Sequence, residues 1–201
     1  MGLIRGIIEF VMDILETVVF MGAMFIVVYL YVLQPNQVRG SSMVPNFEDR
    51  DYIFTSRVTY KIKEPEKGDV VVFKSPQNPD IEYIKRVIGV GGDRVKFTDC
   101  DKPANTNCTV MVNNYPLIED YIKDSTQLFD SSEIVPDQEI IVPDDELFVM
   151  GDNRPGSLDS RVFGPIKKSS IIGVVFLRYL PVDKAGLIKN PFTEKFIPQE
   201  N

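Results

Sequence analysis

Residues 17–33, TVVFMGAMFIVVYLYVL, run for seventeen positions without a charge. An apolar stretch of about 17–25 residues is long enough to span a bilayer. Ahead of it, GLIRGIIEFVMDILE sets Arg5, Glu9 and Asp13 four residues apart, on one helical face, with Ile, Phe, Val and Leu on the others. Residues 3–33 therefore read as one helix, amphipathic at first and then apolar all round. Gln34, Pro35 and Asn36 should stop it. A cleaved leader would have a basic start, a shorter apolar core and a small-x-small exit. This one starts with a single arginine and exits through LQPNQV. The expected organisation is an amphipathic start over 1–16, a membrane anchor over 17–34 and one domain over 35–201. Arg39, Arg50 and Arg57 follow the run and Arg5 precedes it, so the positive-inside count alone would put the domain in the cytoplasm.

The rest of the chain restricts its own chemistry. It contains no histidine. A Ser-His-Asp triad, a Cys-His dyad and any His-containing metal site are thereby excluded. Acid-base work near neutral pH falls to a perturbed Lys, Asp, Glu, Tyr or Cys. A net charge of −7 argues against nucleic acid as a partner. Cys100 and Cys108 cannot enclose a zinc by themselves, and no metal or cofactor is expected. Their setting, DCDKPANTNC, is rich in turn formers, so a bridge across a hairpin and two free surface thiols are both open readings. An exported domain favours the bridge.

Beyond the apolar run the pattern turns to short strands. Residues 69–73, 81–90, 94–97, 109–112, 139–142, 146–150 and 171–177 are rich in Val, Ile, Phe and Tyr, with Gly, Pro, Asn and Asp between them. A mainly β, antiparallel fold with several hairpins is expected. Residues 98–138 are more polar and read as a loop-rich insertion.

Three clusters could carry chemistry. Gly40-Ser41-Ser42-Met43-Val44-Pro45 offers a serine in a glycine-containing turn, where backbone N–H groups can face a developing oxyanion. Tyr83-Ile84-Lys85-Arg86-Val87-Ile88-Gly89 places two adjacent cations on an apolar strand, where they should face opposite sides. A lysine desolvated there would lose its proton more readily and become a usable base, which an arginine cannot do. Equally, Lys85 could be solvated on an open face. Gly151-Asp152-Asn153-Arg154-Pro155-Gly156-Ser157-Leu158-Asp159-Ser160-Arg161 is a polar turn. If its end is extended, Asp159 and Arg161 share a side, and Asp159 could neutralise Arg86 or Arg161.

In this order behind an anchor, the motifs G-x-S-M-x-P, G-D-V-V-V-F, Y-I-K-R-V-I-G-x-x-G-D and G-D-N-R-x-x-S-x-D-S-R resemble the bacterial type I signal peptidases, over nearly the whole chain. The resemblance implies a signal-peptidase-like β catalytic domain with one N-terminal transmembrane helix, and a serine endopeptidase needing no cofactor. Ser42 matches the nucleophile and Lys85 the general base. Ser157 matches a hydroxyl that orients the lysine amine. Asp159, Arg86 and Arg161 match a charge cluster behind the site. The Ser42 N–H would supply one oxyanion donor. Part of the family adds a serine hydroxyl two residues earlier, where this chain has Gly40. Asn46 stands where many members have Thr, and is expected not to touch the dyad.

By the same resemblance, Val38, Met43, Phe47, Ile53, Tyr83 and Ile84 are candidates to wall the pockets for small residues of an A-x-A site, although each could equally be core. The partners implied are signal-peptide-bearing preproteins and the lipid bilayer. The family places its catalytic domain on the extracytoplasmic face of the cell membrane, and domains of this size translocate whatever their flanking charge. Met43 and Phe47 are expected to lie near apolar surface facing the bilayer. Two other readings are a non-catalytic membrane-anchored β module and a self-cleaving, repressor-type Ser/Lys peptidase.

Overall fold

A computed structural model of the protein describes residues 2–31, 33–129, 131 and 134–192. The N-terminal residues form one helix, α1 (Gly2–Tyr31). Its stretch long and apolar enough to cross a membrane is Ile4–Val27, none of it buried against the rest of the protein. That stretch begins earlier than the uncharged run and takes in Arg5 and Glu9, which pair with each other at 3.0 Å. The residues expected only to stop the helix go directly into a strand, β1 (Leu33–Gln37). Pro35 is tolerated because β1 lies at the edge of its sheet.

The remaining elements are β2 (Tyr52–Ser56), a turn of helix α2 (Thr59–Ile62), β3 (Val70–Lys74), β4 (Glu82–Val90), β5 (Arg94–Thr98), β6 (Thr109–Val112) and β7 (Tyr115–Pro116). These are followed by β8 (Ile140–Ile141), β9 (Glu146–Met150), a short helix α3 (Ser160–Phe163), β10 (Ile166–Lys167), β11 (Ile171–Leu180) and β12 (Gly186–Leu187). One sheet runs β1-β2-β11-β3-β4-β9-β10, with β12 beside β11; the other runs β7-β6-β5-β8. Every strand pairing is antiparallel. The fold is mainly β, as the strand pattern implies.

Strand β3 is buried on both faces, which accounts for its unbroken Val70-Val71-Val72-Phe73 run. Val70 and Val72 pack with Val38, Met43, Phe47, Ile53 and Val175. Val71 and Phe73 pack with Val87, Leu147, Val149 and Ile166. Each such side chain contributes on the order of 1.5–3 kcal/mol by leaving water. A third cluster, including Ile88, Val95, Phe97, Val110, Val112 and Phe148, joins the two sheets. Within the described part of residues 98–138, strands β6 and β7 and the end of β5 are joined by long turns and loops. Within it, the sulfurs of Cys100 and Cys108 are bonded at 2.07 Å.

Candidate active site

The turn carrying Ser42 is held closed at its base. The Val38 N–H donates to the Asp51 carbonyl at 2.8 Å, and the Arg50 N–H to the Val38 carbonyl at 2.9 Å. Asp51 is buried and accepts from Arg178 Nη1 at 3.0 Å, and the same nitrogen donates to the Asn46 carbonyl at 2.7 Å. At Gly40 the backbone turns with φ +89°, a conformation L side chains rarely adopt. A side chain such as serine's would be strained there. The Gly40 N–H is itself taken, donating to Asp49 Oδ1 at 2.8 Å.

Lys85 comes from the centre of β4. Its Nζ lies 2.7 Å from Ser42 Oγ. The side chain is 3% exposed, which excludes the solvated reading. Desolvation pulls the amine down from 10.5 to about 8. The negative charges of Asp159 and Asp152 oppose this drop and the Arg161 charge adds to it, but desolvation dominates.

Arg86, next along the strand, is buried as well and meets a carboxylate. Its Nε and Nη2 donate to Asp152 Oδ1 and Oδ2 at 2.8 and 2.7 Å, and its Nη1 to the Gly68 carbonyl at 2.9 Å. Asp159 pairs instead with Arg161, which donates to it through Nε and Nη2, both at 2.8 Å. The two are not on an extended segment. Asp159 caps α3, accepting from the Arg161 N–H at 3.2 Å. Burial pushes the Asp159 carboxyl up, yet the Arg161 hydrogen bonds and charge and the Gly151 N–H hold it below the ordinary range.

Ser157 is buried close to the site; among the described residues its Oγ makes no hydrogen bond of good geometry, and none to the lysine, but it lies close enough to Asp159 to help hold that carboxyl down. The hydroxyl packs over Gly151. A Cβ at that glycine would fall 2.2 Å from Ser157 Oγ and 2.4 Å from the Ser42 carbonyl oxygen, so only glycine fits.

A cleft of about 530 Å³ opens beside Ser42 and Lys85. Val38, Ile53, Tyr83 and Ile84 line it, together with Val72 and with polar residues including Asn36, Gln37 and Arg39. Met43 and Phe47 do not. Each is 1% exposed, and they fill the core beneath the turn rather than reaching a bilayer-facing surface. The apolar surface lies elsewhere. Tyr52, Phe54, Phe176 and Tyr179 form an aromatic ladder on β2 and β11, with centroids 4.5–6.5 Å apart. Leu180, Val182 and Leu187 are exposed nearby in the chain.

Sequence reasoning missed several groups. Asp152 was visible only as part of a polar turn. Arg154 is fully buried and pairs with Glu119 of the insertion, with further bonds to Thr126 Oγ1 and Tyr121 Oη. Asn46 does not bond to Ser42 or Lys85, but its Nδ2 donates to Asp152 Oδ2 at 2.9 Å and to the Tyr121 carbonyl at 2.7 Å. The arginines beside aspartates over 151–161 were the available signal; the partners from the insertion had none.

Known proteins resemble this chain over most of its length. The family model described as signal peptidase, peptidase S26, matches residues 11–180. Signal peptidase IB of Staphylococcus aureus (strain COL) is 34% identical over 198 residues, 91% of this chain and 98% of that protein. Signal peptidase I of Leptolyngbya laminosa is 30% identical over 168 residues, 80% of this chain and 75% of that protein. A crystal structure of a signal peptidase I from Enterococcus faecalis V583 is 36% identical, with 56% of this chain and 97% of that one covered, at a TM-score of 0.45. With an S26 match across most of the sequence and such relatives, the chain belongs to the S26 signal peptidase family and is a signal peptidase.

Proposed function

We propose that the protein cleaves exported preproteins after A-x-A-type sites, using Ser42 as nucleophile and Lys85 as general base. The observation that carries this reading is the 2.7 Å approach of a buried, easily deprotonated amine to the serine hydroxyl. Neutral Lys85 takes the Ser42 proton as Oγ attacks the scissile carbonyl carbon. The protonated amine then gives that proton to the leaving amine, producing an acyl-enzyme. A water, deprotonated by the same lysine, hydrolyses the ester. The Ser42 N–H serves as one oxyanion donor.

The cleft suits an extended peptide ending in small side chains, since its apolar wall is set by Val38, Ile53, Val72 and Ile84. Helix α1 anchors the chain as a single pass, with the catalytic domain over 35–201 on the extracytoplasmic face. The aromatic ladder supports a domain resting against the bilayer, because aromatic rings favour the membrane–water interface. A substrate tethered by its own apolar segment would then meet the cleft near the membrane.

The test is to incubate the full chain in detergent with a preprotein bearing an A-x-A site, alongside Ser42→Ala and Lys85→Ala. Cleavage by the wild type alone is expected. Cleavage surviving Lys85→Ala would mean that the base is another group.

A further inference from the structure

A peptide unit is planar, and its C=O and N–H point in opposite directions. Whatever holds the Ser41 carbonyl therefore aims the Ser42 N–H. The Ser41 oxygen accepts from Asn153 Nδ2 at 3.0 Å and from the Val44 N–H at 3.2 Å. The Ser42 oxygen accepts from the Asn153 N–H, also at 3.0 Å. One residue thus grips the carbonyls on both sides of the nucleophile. Among the described residues the Ser42 N–H itself donates to no protein group, so it is left for a ligand.

Asn153 is well placed to impose a direction. It follows Asp152, which is fixed by two bonds from Arg86, and precedes the fully buried Arg154. Its Oδ1 accepts from the Gly156 N–H at 3.3 Å, and its backbone carbonyl accepts from the same group at 3.1 Å. The Gly40 position supplies no side-chain donor, which leaves more of the oxyanion's stabilisation to this single N–H.

We infer that Asn153 is a positioning residue that aims the Ser42 N–H at the oxygen that becomes negative in the tetrahedral intermediate. As Ser42 Oγ bonds to the scissile carbon and its proton passes to Lys85, the carbonyl π pair moves onto that oxygen. A misdirected N–H weakens this state and leaves substrate binding intact. The inference rests on Ser42 being the nucleophile.

The experiment compares the wild-type full chain in detergent with Asn153→Ala and Asn153→Asp. The Asp variant keeps the shape and the acceptor for Gly156 but lacks the Nδ2 donor. Each is measured for kcat, KM and pH profile on an A-x-A peptide, and for affinity towards a peptide aldehyde and the matching peptide alcohol. The aldehyde forms a tetrahedral adduct and the alcohol cannot. Removing an oxyanion donor costs about 10²–10³ in kcat, so misaiming one should cost about 10–100-fold. Expected for the Ala variant are that loss in kcat, a KM within about twofold, a rate limb still near pH 8, an equal loss of aldehyde affinity and unchanged alcohol affinity. The Asp variant should show the same loss on its own alkaline plateau, since the new carboxylate can raise Lys85.

Full kcat in the Asp variant would show that Asn153 serves only the turn, and would overturn the inference. So would equal weakening of aldehyde and alcohol. Should the Ala variant fold poorly by thermal unfolding, the Asp variant decides. Ser42→Ala separates the two layers. If it still cleaves, the nucleophile reading fails; if it is dead while both Asn153 variants are fully active, only this inference fails.

Discussion

Replacing Lys85 by methionine should stabilise the folded protein while ending cleavage. The amine titrates near its ordinary 10.5 in the unfolded chain and near 8 in the folded one. Between these values the unfolded chain binds a proton that the folded chain does not. Stability therefore rises with pH from about 8 to about 10.5, and below about pH 8 the full deficit is present. At 1.36 kcal/mol per tenfold change, the drop corresponds to about 3 kcal/mol of destabilisation at neutral pH. Methionine fills a similar volume and carries no charge. A gain of about 1–3 kcal/mol is expected at pH 7, shrinking towards zero by about pH 10.5. For a domain of this size each kcal/mol is about 2–4 °C in Tm. Thermal or urea unfolding of both forms at pH 7, 8, 9 and 10 reads the difference. The same titration sets the rate. The neutral fraction is about 0.1 at pH 7 and about 0.9 at pH 9, so wild-type kcat/KM should climb roughly tenfold across that interval. A Lys85→Met protein less stable than wild type at pH 7, or a rate limb centred near 10.5, would refute the desolvation argument.

Asp152→Asn leaves the buried Arg86 guanidinium unpaired and should cost about 3–5 kcal/mol in urea unfolding. It also removes a charge that holds the Lys85 proton, so the rate limb of the surviving enzyme should move to lower pH. Reducing the Cys100–Cys108 bond, which closes a short loop of the insertion, should cost about 2–3 kcal/mol by loop entropy and leave kcat nearly unchanged, as unfolding and peptide assays with and without reductant would show. Gly40→Ser adds a hydroxyl two residues before Ser42 but forces a side chain into φ +89°. A stability loss of about 1–3 kcal/mol with no gain in kcat is expected, and a faster enzyme would mean that the backbone adapts.

Most strands legible in the sequence have apolar or alternating side chains, although β2, which alternates in the same way, was not among those expected. Residues 109–112 and 146–150 coincide with β6 and β9, and the Val70–Phe73 run marks β3. Strand β1 was not legible, because Leu33-Gln34-Pro35-Asn36-Gln37 is polar and carries a proline that only an edge position tolerates. Ser42 and Lys85 were visible through motifs, whereas residue patterns alone left each ambiguous. The pairing of the arginines was not visible: Arg86 with Asp152 and Arg154 with Glu119 are settled by tertiary approach across 66 and 35 residues. Met43 and Phe47 share the hydrophobic character of pocket residues, and only packing shows them to be core.

Tyr121 lies against two guanidiniums, 4.7 Å from Arg86 and 5.9 Å from Arg154, and Glu119 neutralises the second. Tyr121 and Glu119 both come from the polar, loop-rich insertion over 98–138. Trimming it would strip the counter-ion from a cation sealed away from water and remove the ring that shields its neighbour. Shortened versions of this enzyme would thus survive only if Arg154 were exchanged for an uncharged residue in the same step, which ties the length of a surface loop to the identity of an interior side chain.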